Sequence, residues 1–424
     1  MATKNEKAIL IYADWVELAG IQPMGKLFTQ RLRGKEIFYF EYEQSWLSSN
    51  HALFLDPNLG FFQGKQFLPE DKQNFGIFLD SSPDRWGRLL MRRREAAQAR
   101  REGRKEENLY ETDYLLGVYD KHRLGGLRFK LEEKGDFMNN QKEFATPPWT
   151  TLRELEFASL QLEREDSVNN PDYLKWLALL VDPGSSLGGA RPKASVLDEK
   201  GSLWIAKFPS INDTKDSGAW EMVLQQLAIK CGIDVPQAQL AKFTGKHHTY
   251  LSKRFDRTEK MNRIHFESAM TLLGYQDGAD YQEGISYLEI VSFILQYSSE
   301  SIYDLEQLWR RVVFNIMVSN TDDHLRNHGF LLTKQGWRLS PAFDLNPNEQ
   351  GTGLKLNISE NDNSLEIDLA MSVAKYFKLK ETKANLIIKE MAKVILDWKN
   401  IAKMNRISPG EIELVKNAFR ASIV

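Results

Sequence analysis

Three oxygen-bearing side chains crowd one stretch of the chain: Asp322 and Asn327 in TDDHLRNHGFLL, and Asp344 in PAFDLNP. A carboxylate can orient an attacking hydroxyl and accept its proton. A second carboxylate and an amide oxygen can hold magnesium against phosphates, because a hard cation prefers oxygen ligands. Together these are the parts that phosphoryl transfer requires, since that chemistry depends mainly on positioning and on neutralising charge.

The spacing sharpens this reading. Asn327 follows Asp322 by five positions, as a metal-binding asparagine follows the base in a protein-kinase catalytic loop. Asp344 fits the second magnesium ligand, although the local string is FDL rather than DFG. Lys207 lies in the apolar strand-like string WIAKFPS. A lysine there is costly to bury unless its charge is matched. A nucleotide phosphate would match it, and so would Glu221 on the next predicted helix, the lysine–glutamate pair used in kinases. Upstream, GSSLGGARPKA supplies Gly188 and Gly189 for tight turns near phosphates, the cations Arg191 and Lys193, and the hydroxyls of Ser185 and Ser186. It has neither a GxGxxG pattern nor a Walker lysine.

Other candidate groups read more simply. His324 and His328 are four apart, but HLRNH lacks the glutamate of a zinc hydrolase helix. They are expected to support the loop by ring hydrogen bonds. His247 and His248 belong to a turn before a strand, and Asp277 and Asp280 in QDGAD to a polar loop. No acid–histidine pair is placed to activate a hydrolase serine. The single cysteine, Cys231, excludes an internal disulfide framework and reads as helix-end packing.

Positioning these groups requires elements, and the pattern supplies them. Strands are expected over Ala8–Val16 and Glu36–Tyr42, and strand-like residues again from Tyr114 to Phe129. A helix from Pro83 to about Ala99 is expected to be capped by Ser82. The mixed charge run Arg92–Glu107 reads as a solvated helix end and loop. Glu132–Trp149, with Pro147-Pro148, marks a boundary, followed by helices over Leu152–Leu162 and Asp172–Leu180. Ala194–Leu197 and Leu203–Phe208 form a hairpin around Glu199–Gly201. Ala219–Lys230 is a helix closed by Gly232, and Thr249–Phe255 a strand. Ser301–Asn320 shows the clearest helical stripe, with Leu305, Leu308, Trp309, Val312, Val313, Ile316 and Met317 facing a core. It leads into the polar loop, a hairpin turning at Lys334–Gly336, and then Asp344 at the exit of strand Trp337–Ser340. Further helices are expected over Leu365–Phe377, Thr382–Asn400 and Gly410–Phe419.

The bulk properties agree. A chain of 424 residues with 42% hydrophobic and 27% charged residues fits a folded protein of two or three domains. A net charge of -2 argues against a uniformly basic nucleic-acid binder. Neither a leader-like N-terminus nor a run long enough to span a bilayer is visible, so a cytoplasmic location without membrane association is expected.

Taken together, the strings SSPDRWGR (Ser81–Arg88), LLGVYD (Leu115–Asp120), GGARPKA (Gly188–Ala194), WIAKFPS, LSKRFDR (Leu251–Arg257), NTDDHLRNHGF and SPAFDL resemble the HipA family over nearly the whole length. These are bacterial serine/threonine kinases that serve as the toxin component of type II toxin–antitoxin modules. The resemblance implies an α+β, bilobal protein-kinase-like fold with a strand-rich N-terminal region and a mainly helical C-terminal lobe. Its parts would be an N-terminal subdomain (1–148), a kinase N-lobe (149–258) and a C-lobe (259–424). It also implies ATP and Mg2+ as cofactors. Asp322 is then the base, with Lys207 beside it in catalysis, and Asn327 and Asp344 are the metal ligands. Gly188, Gly189, Lys193, Lys207, Glu221, Lys253, Phe255, His324, Asn327 and Asp344 would contact the nucleotide. At Lys253 the family often carries an acidic residue, so only backbone contacts are carried over there. Ser186, or adjacent Ser185, resembles the serine that family members autophosphorylate, which expels its loop and inactivates the enzyme; a doubly charged group beside nucleotide phosphates accounts for this. Expected partners are a protein with a serine or threonine acceptor, in known toxins an aminoacyl-tRNA synthetase for glutamate, and a small helix-turn-helix antitoxin through which DNA is contacted indirectly. Two other readings stand beside this one: a small-molecule phosphotransferase on the same scaffold, and a non-catalytic ATP-binding module that binds a helix-turn-helix partner.

Overall fold

Alternating burial along three N-terminal segments sets the first architecture. Ile9, Ile11 and Ala13 are buried in β1 (Glu6–Ala13), and Phe38, Phe40 and Tyr42 in β3 (Lys35–Tyr42). Between them runs β2 (Gln22–Leu32), a strand that the sequence reading left unassigned. The computed structural model describes residues 6–32, 34–49, 54–140, 146–184, 191–243 and 245–421. Its chain forms two compact units, Met1–Asn212 with Asp256–Glu267, and Asp213–Phe255 with Ser268–Val424.

In the first unit β4 (Gln66–Phe67) and β5 (Leu127–Lys130) complete an antiparallel sheet in the order β4-β3-β2-β1-β5. Gly25 is required where β2 crosses Phe40, because a Cβ there would lie 2.4 Å from the Phe40 ring. Short helices α1 (Gln44–Leu47) and α2 (Gly76–Asp80) precede α3 (Arg85–Glu102). The cap of α3 is Asp84, whose carboxylate accepts from the Arg85 amide, rather than Ser82. Ser82 instead donates its hydroxyl back to the Phe78 carbonyl. The helix also runs beyond Ala99 to Glu102, where Gly103 at φ 64° ends it. Residues 114–129 depart from the expected strand: α4 (Glu111–Gly117) ends within them, a 3-10 turn follows at Asp120–His122, and the only strand is β5. Tyr and Leu in that stretch suit either element, and the capping box of Tyr110 and Asp113 favours the helix. Helices α5 (Leu152–Leu162) and α6 (Tyr173–Gly184) pack on one another, and β6 (Lys193–Leu197) with β7 (Leu203–Lys207) makes the expected hairpin.

The returning segment Asp256–Glu267 brings a buried acid–base pair into this unit. The Gly126 amide donates to Nδ1 of His265 at 3.2 Å, so the ring proton sits on Nε2, 2.8 Å from Glu267 Oε1. Trp15 stacks on the imidazole at 4.7 Å. Burial lowers the His265 pKa from 6.5 to about 3. Burial, with Asp80 and Asp56 nearby, raises that of Glu267 well above its ordinary value. Between pH 6.5 and about 3 the unfolded histidine is protonated and the folded one is not, so this site's contribution to stability is full above 6.5 and is lost as pH falls. The urea midpoint of wild type minus that of His265→Gln should therefore shrink steadily from pH 7 towards pH 3. A difference independent of pH would mean that His265 takes up its proton as readily in the folded chain as in the unfolded one.

The second unit opens with α7 (Ser217–Lys230), capped by Asp216, and the pair β8 (Ala238–Ala241) and β9 (Thr249–Lys253). After β10 (Phe266–Ser268) come α8 (Ala269–Leu272), α9 (Tyr287–Tyr297) and α10 (Ser301–Val318). The predicted stripe of α10 is buried throughout, Leu305, Leu308, Trp309, Val312 and Val313 completely. The hairpin of β11 (Gly329–Thr333) and β12 (Gly336–Leu339) follows, then α11 (Ile367–Val373), α12 (Glu381–Ile395), α13 (Trp398–Met404) and α14 (Pro409–Val415). No helix among the described residues is long and apolar enough to cross a membrane.

Candidate active site

Helix α10 ends because Ser319 turns left-handed, at φ 48°. The chain then folds back: the Asn320 amide donates to the Asn315 carbonyl at 2.9 Å, and Asn320 Nδ2 to Asn315 Oδ1 at 2.9 Å. This projects Thr321–Asn327 as a tight loop. Asp322 is exposed, while its carbonyl accepts from His324 N and from Asn327 Nδ2, both at 3.0 Å. Asn327, 8% exposed, is thus anchored by its amide nitrogen, and its Oδ1 remains the atom able to face a cation.

Asp323, beside Asp322, faces the opposite way. It is buried, and its Oδ2 accepts from Tyr287 Oη (2.6 Å), Asn315 Nδ2 (2.8 Å) and His328 Nε2 (2.8 Å). Burial pushes this carboxyl up, but the His328 ring, the His328 and Tyr287 hydrogen bonds and the more distant His324 outweigh it and hold the pKa below the ordinary value. The sequence reading did not single out Asp323, Tyr287 or Asn315. The Asp-Asp doublet was the available signal.

Asp344 lies on the loop leaving β12. Its φ of 60° is left-handed, a conformation that costs an L-residue about 1 kcal/mol or more and recurs at functional loops. The loop is laced to the one before it: Asn346 N donates to Asn320 Oδ1 at 3.1 Å, Asn348 N to the Ser319 carbonyl at 3.0 Å, and Asn348 Nδ2 to Thr321 Oγ1 at 2.8 Å. A Cβ on Gly351 would strike Thr321 at 2.4 Å, so the approach requires glycine. Two further elements meet this loop. The Phe255 ring, after β9, lies 5.7 Å from that of Phe343. Lys215, just ahead of α7, pairs with Glu349 at 2.7 Å and reaches the Pro347 carbonyl at 3.3 Å.

Glu221 is buried on α7, 5% exposed. Its charge and that of Asp344 both bear on the Tyr250 hydroxyl of β9: burial first, then Glu221 and Asp344, raise the Tyr250 pKa well above its usual value. Tyr250 donates to Gln225, one turn beyond Glu221. The second unit thus carries Asp322 and Asn327 on one loop and Asp344 on the loop laced to it, with Phe255 against Phe343 and Glu221 buried on α7. His324 sits half-buried in the Asp322 loop. Of the acidic pair in QDGAD, Asp277 lies 3.6 Å from Arg326 and Asp280 pairs with Lys355 at 3.2 Å, as side chains of a polar loop.

Lys193 and Lys207 belong to the first unit, where the hairpin register sets them directly opposite each other. Trp86, from SSPDRWGR, donates its indole N–H to the Lys193 carbonyl at 3.1 Å and fixes the start of β6. Gly188, Gly189, Ser185 and Ser186 lie outside the described residues.

The donor set fits magnesium. Asn327 and Asp344 offer oxygen only, and Mg2+ is commonly held by one or two carboxylates with substrate phosphates rather than by a protein cage. Among the described residues no group of three or more His, Cys, Asp or Glu side chains is arranged to hold a metal.

Comparison with known proteins places this geometry in context. Residues 185–398 match the family model described as "HipA-like C-terminal domain". A "Putative kinase" of Haemophilus influenzae is 27% identical over 180 residues, covering 38% of this chain and 52% of that protein. "Putative kinase Y4dM" of Sinorhizobium fredii is 30% identical over 159 residues, covering 34% and 37%. The chain thus spans about half or less of the length of these curated relatives. Among solved structures, HipA of the Shewanella oneidensis toxin–antitoxin system, determined with HipB and its operator DNA, superposes with a TM-score of 0.64 at 17% identity, covering 97% of this chain and 94% of that one. The fold is that of HipA, a mixed helix-and-sheet, protein-kinase-like fold.

Proposed function

This chain belongs to the HipA family, and from that premise we propose that it is an ATP- and Mg2+-dependent protein kinase acting on serine or threonine. The observation that supports this most is the pair of stitched loops. They present an exposed carboxylate, Asp322, beside an anchored amide, Asn327, with the strained Asp344 on the neighbouring loop.

In this reading Asp322 accepts the proton of the acceptor hydroxyl. Its exposure leaves it open to a bulky protein substrate, and its carbonyl, through Asn327, keeps base and metal ligand in register. Asn327 and Asp344 hold magnesium, which when bound neutralises charge on the transferred phosphoryl group. Lys193 and Lys207 carry the nucleotide-phosphate role, helped by Gly188 and Gly189, and Glu221 is the carboxylate that completes the set. Backbone groups of Lys253–Phe255 line the adenine, with His324 supporting the loop. The expected parts 1–148, 149–258 and 259–424 remain the lobes of this proposal. So do Ser186 (or Ser185) as the autophosphorylated residue, an aminoacyl-tRNA synthetase as a target, a helix-turn-helix antitoxin that mediates DNA contact, and a cytoplasmic place of action.

Mass spectrometry after incubating the purified full chain with ATP and Mg2+, with and without host lysate, tests this. Phosphate on Ser186 or Ser185 and on serine or threonine of foreign proteins is expected. Phosphate found only on small molecules, or ATP bound without turnover on any acceptor, would replace the proposal with one of the two other readings.

A further inference from the structure

Arg310 and Arg311 are adjacent on α10 and do opposite things. Arg310 reaches Glu306 at 2.8 Å and the Cys231 carbonyl at 3.0 Å. Arg311 turns inward and is 3% exposed. Its Nη2 donates to the Ser340 carbonyl, at the start of the loop that carries Asp344. Its Nε and Nη1 are buried and have no partner among the described residues. Arg311 borders a small cavity whose other walls include Asn315, Asp323, Asn327, His328 and Phe343. The cavity thus lies directly behind both loops of the candidate site.

Two buried N–H groups without an acceptor would cost about 1–3 kcal/mol each. The cavity must therefore supply acceptors. The guanidinium and the Asp323 carboxylate balance one another in charge, so nothing there calls for an ion of either sign. Asp323 receives its three hydrogen bonds on Oδ2, and Oδ1 takes none of these. The space, about 10 Å³, is just large enough for one water, which its polar walls could hold by about three hydrogen bonds beside the apolar Ile233, Phe314 and Leu345. Bridging water carries a hydrogen bond nearly as well as direct contact.

We propose that this cavity is an internal water site through which Arg311 braces Asp323 and Asn327 from behind, while its direct bond holds Ser340. Arg311 is then a positioning residue for the base and metal-ligand loops. This rests on the kinase reading for its catalytic consequence but not for the water site itself. A displacement of about 1 Å at reacting groups can cost about 10²-fold in rate, which is the scale of effect expected.

Full-length Arg311→Met and Arg311→Lys, with wild type, provide the test. Arg311→Met should lower kcat by about 10–10²-fold with a smaller change in KM for ATP. Amide hydrogen exchange should quicken within residues 321–328 and 340–346 and stay unchanged in α12. Arg311→Lys, which keeps the charge and one donor, should recover part of both; it decides the matter if the methionine variant does not fold. Exchange that quickens equally everywhere, or unchanged kcat and exchange, would overturn the positioning role. A high-resolution crystal structure of the wild type should show ordered water between Arg311 and Asp323; direct contact or an empty space would overturn the water site. A wild type without phosphate transfer would defeat the kinase reading, and the exchange and crystallographic arms would still judge this proposal.

Discussion

Asp322→Ala should cut magnesium-dependent phosphate incorporation by about 10²–10⁴-fold, the usual worth of a general base, while leaving the thermal midpoint nearly unchanged. The geometry separates the two effects. The Asp322 side chain is exposed, and surface substitutions of this kind change stability by about 0.5 kcal/mol or less. The contacts that shape the loop use its backbone carbonyl, at 3.0 Å from both the His324 amide and Asn327 Nδ2, and alanine retains that carbonyl. Phosphate incorporation and differential scanning fluorimetry on the same preparation measure both. Undiminished incorporation would remove Asp322 from the mechanism, and lost activity accompanied by unfolding would deprive the result of mechanistic meaning.

The neighbouring substitution should behave in reverse. Asp323→Ala removes one acceptor and strands three buried donors, Tyr287 Oη, Asn315 Nδ2 and His328 Nε2. Each orphaned group costs about 1–3 kcal/mol, partly recovered by relaxation and water, so a loss of about 3–5 kcal/mol is expected. Because the native pKa of Asp323 is held below 3.8, its contribution to stability is present above that pH and lost as the pH falls through the lower native value. The deficit of the variant, read from urea midpoints, should thus be full at neutral pH and narrow only in strong acid. A variant as stable as wild type would show that the three donors find other partners. Measured together, two adjacent aspartates should therefore divide cleanly: one substitution silences transfer without loss of stability, and the other destabilises the fold.

How far such effects could be read in advance depended on distance along the chain. The loop, hairpin and second loop that carry Asp322, Asn327 and Asp344 were legible because they are consecutive, and their spacing survives folding. The α10 stripe was legible for the same reason, since a repeat of 3.6 residues is a local property. Residues 114–129 misled because Tyr and Leu there suit a strand as well as a helix, and Asp113 with Tyr110 tipped the balance through a cap. Strand β2 was obscured by Gly25, whose place became clear only against Phe40.

By itself, then, the order of residues determined the chemical inventory, the family likeness and most helices, because each depends on neighbours in sequence. Tertiary structure alone decided which of two adjacent aspartates faces solvent and which is buried. It likewise decided which of two adjacent arginines is sunk behind the loops, and that Asp344 adopts a left-handed backbone. The partners of Asp323 arrive from α9 and α10, and the lacing of the Asp344 loop comes from Asn320 and Ser319. Burial and hydrogen bonding are set by what packs across space, so the same residue type one position along can hold the fold together or remain free to act.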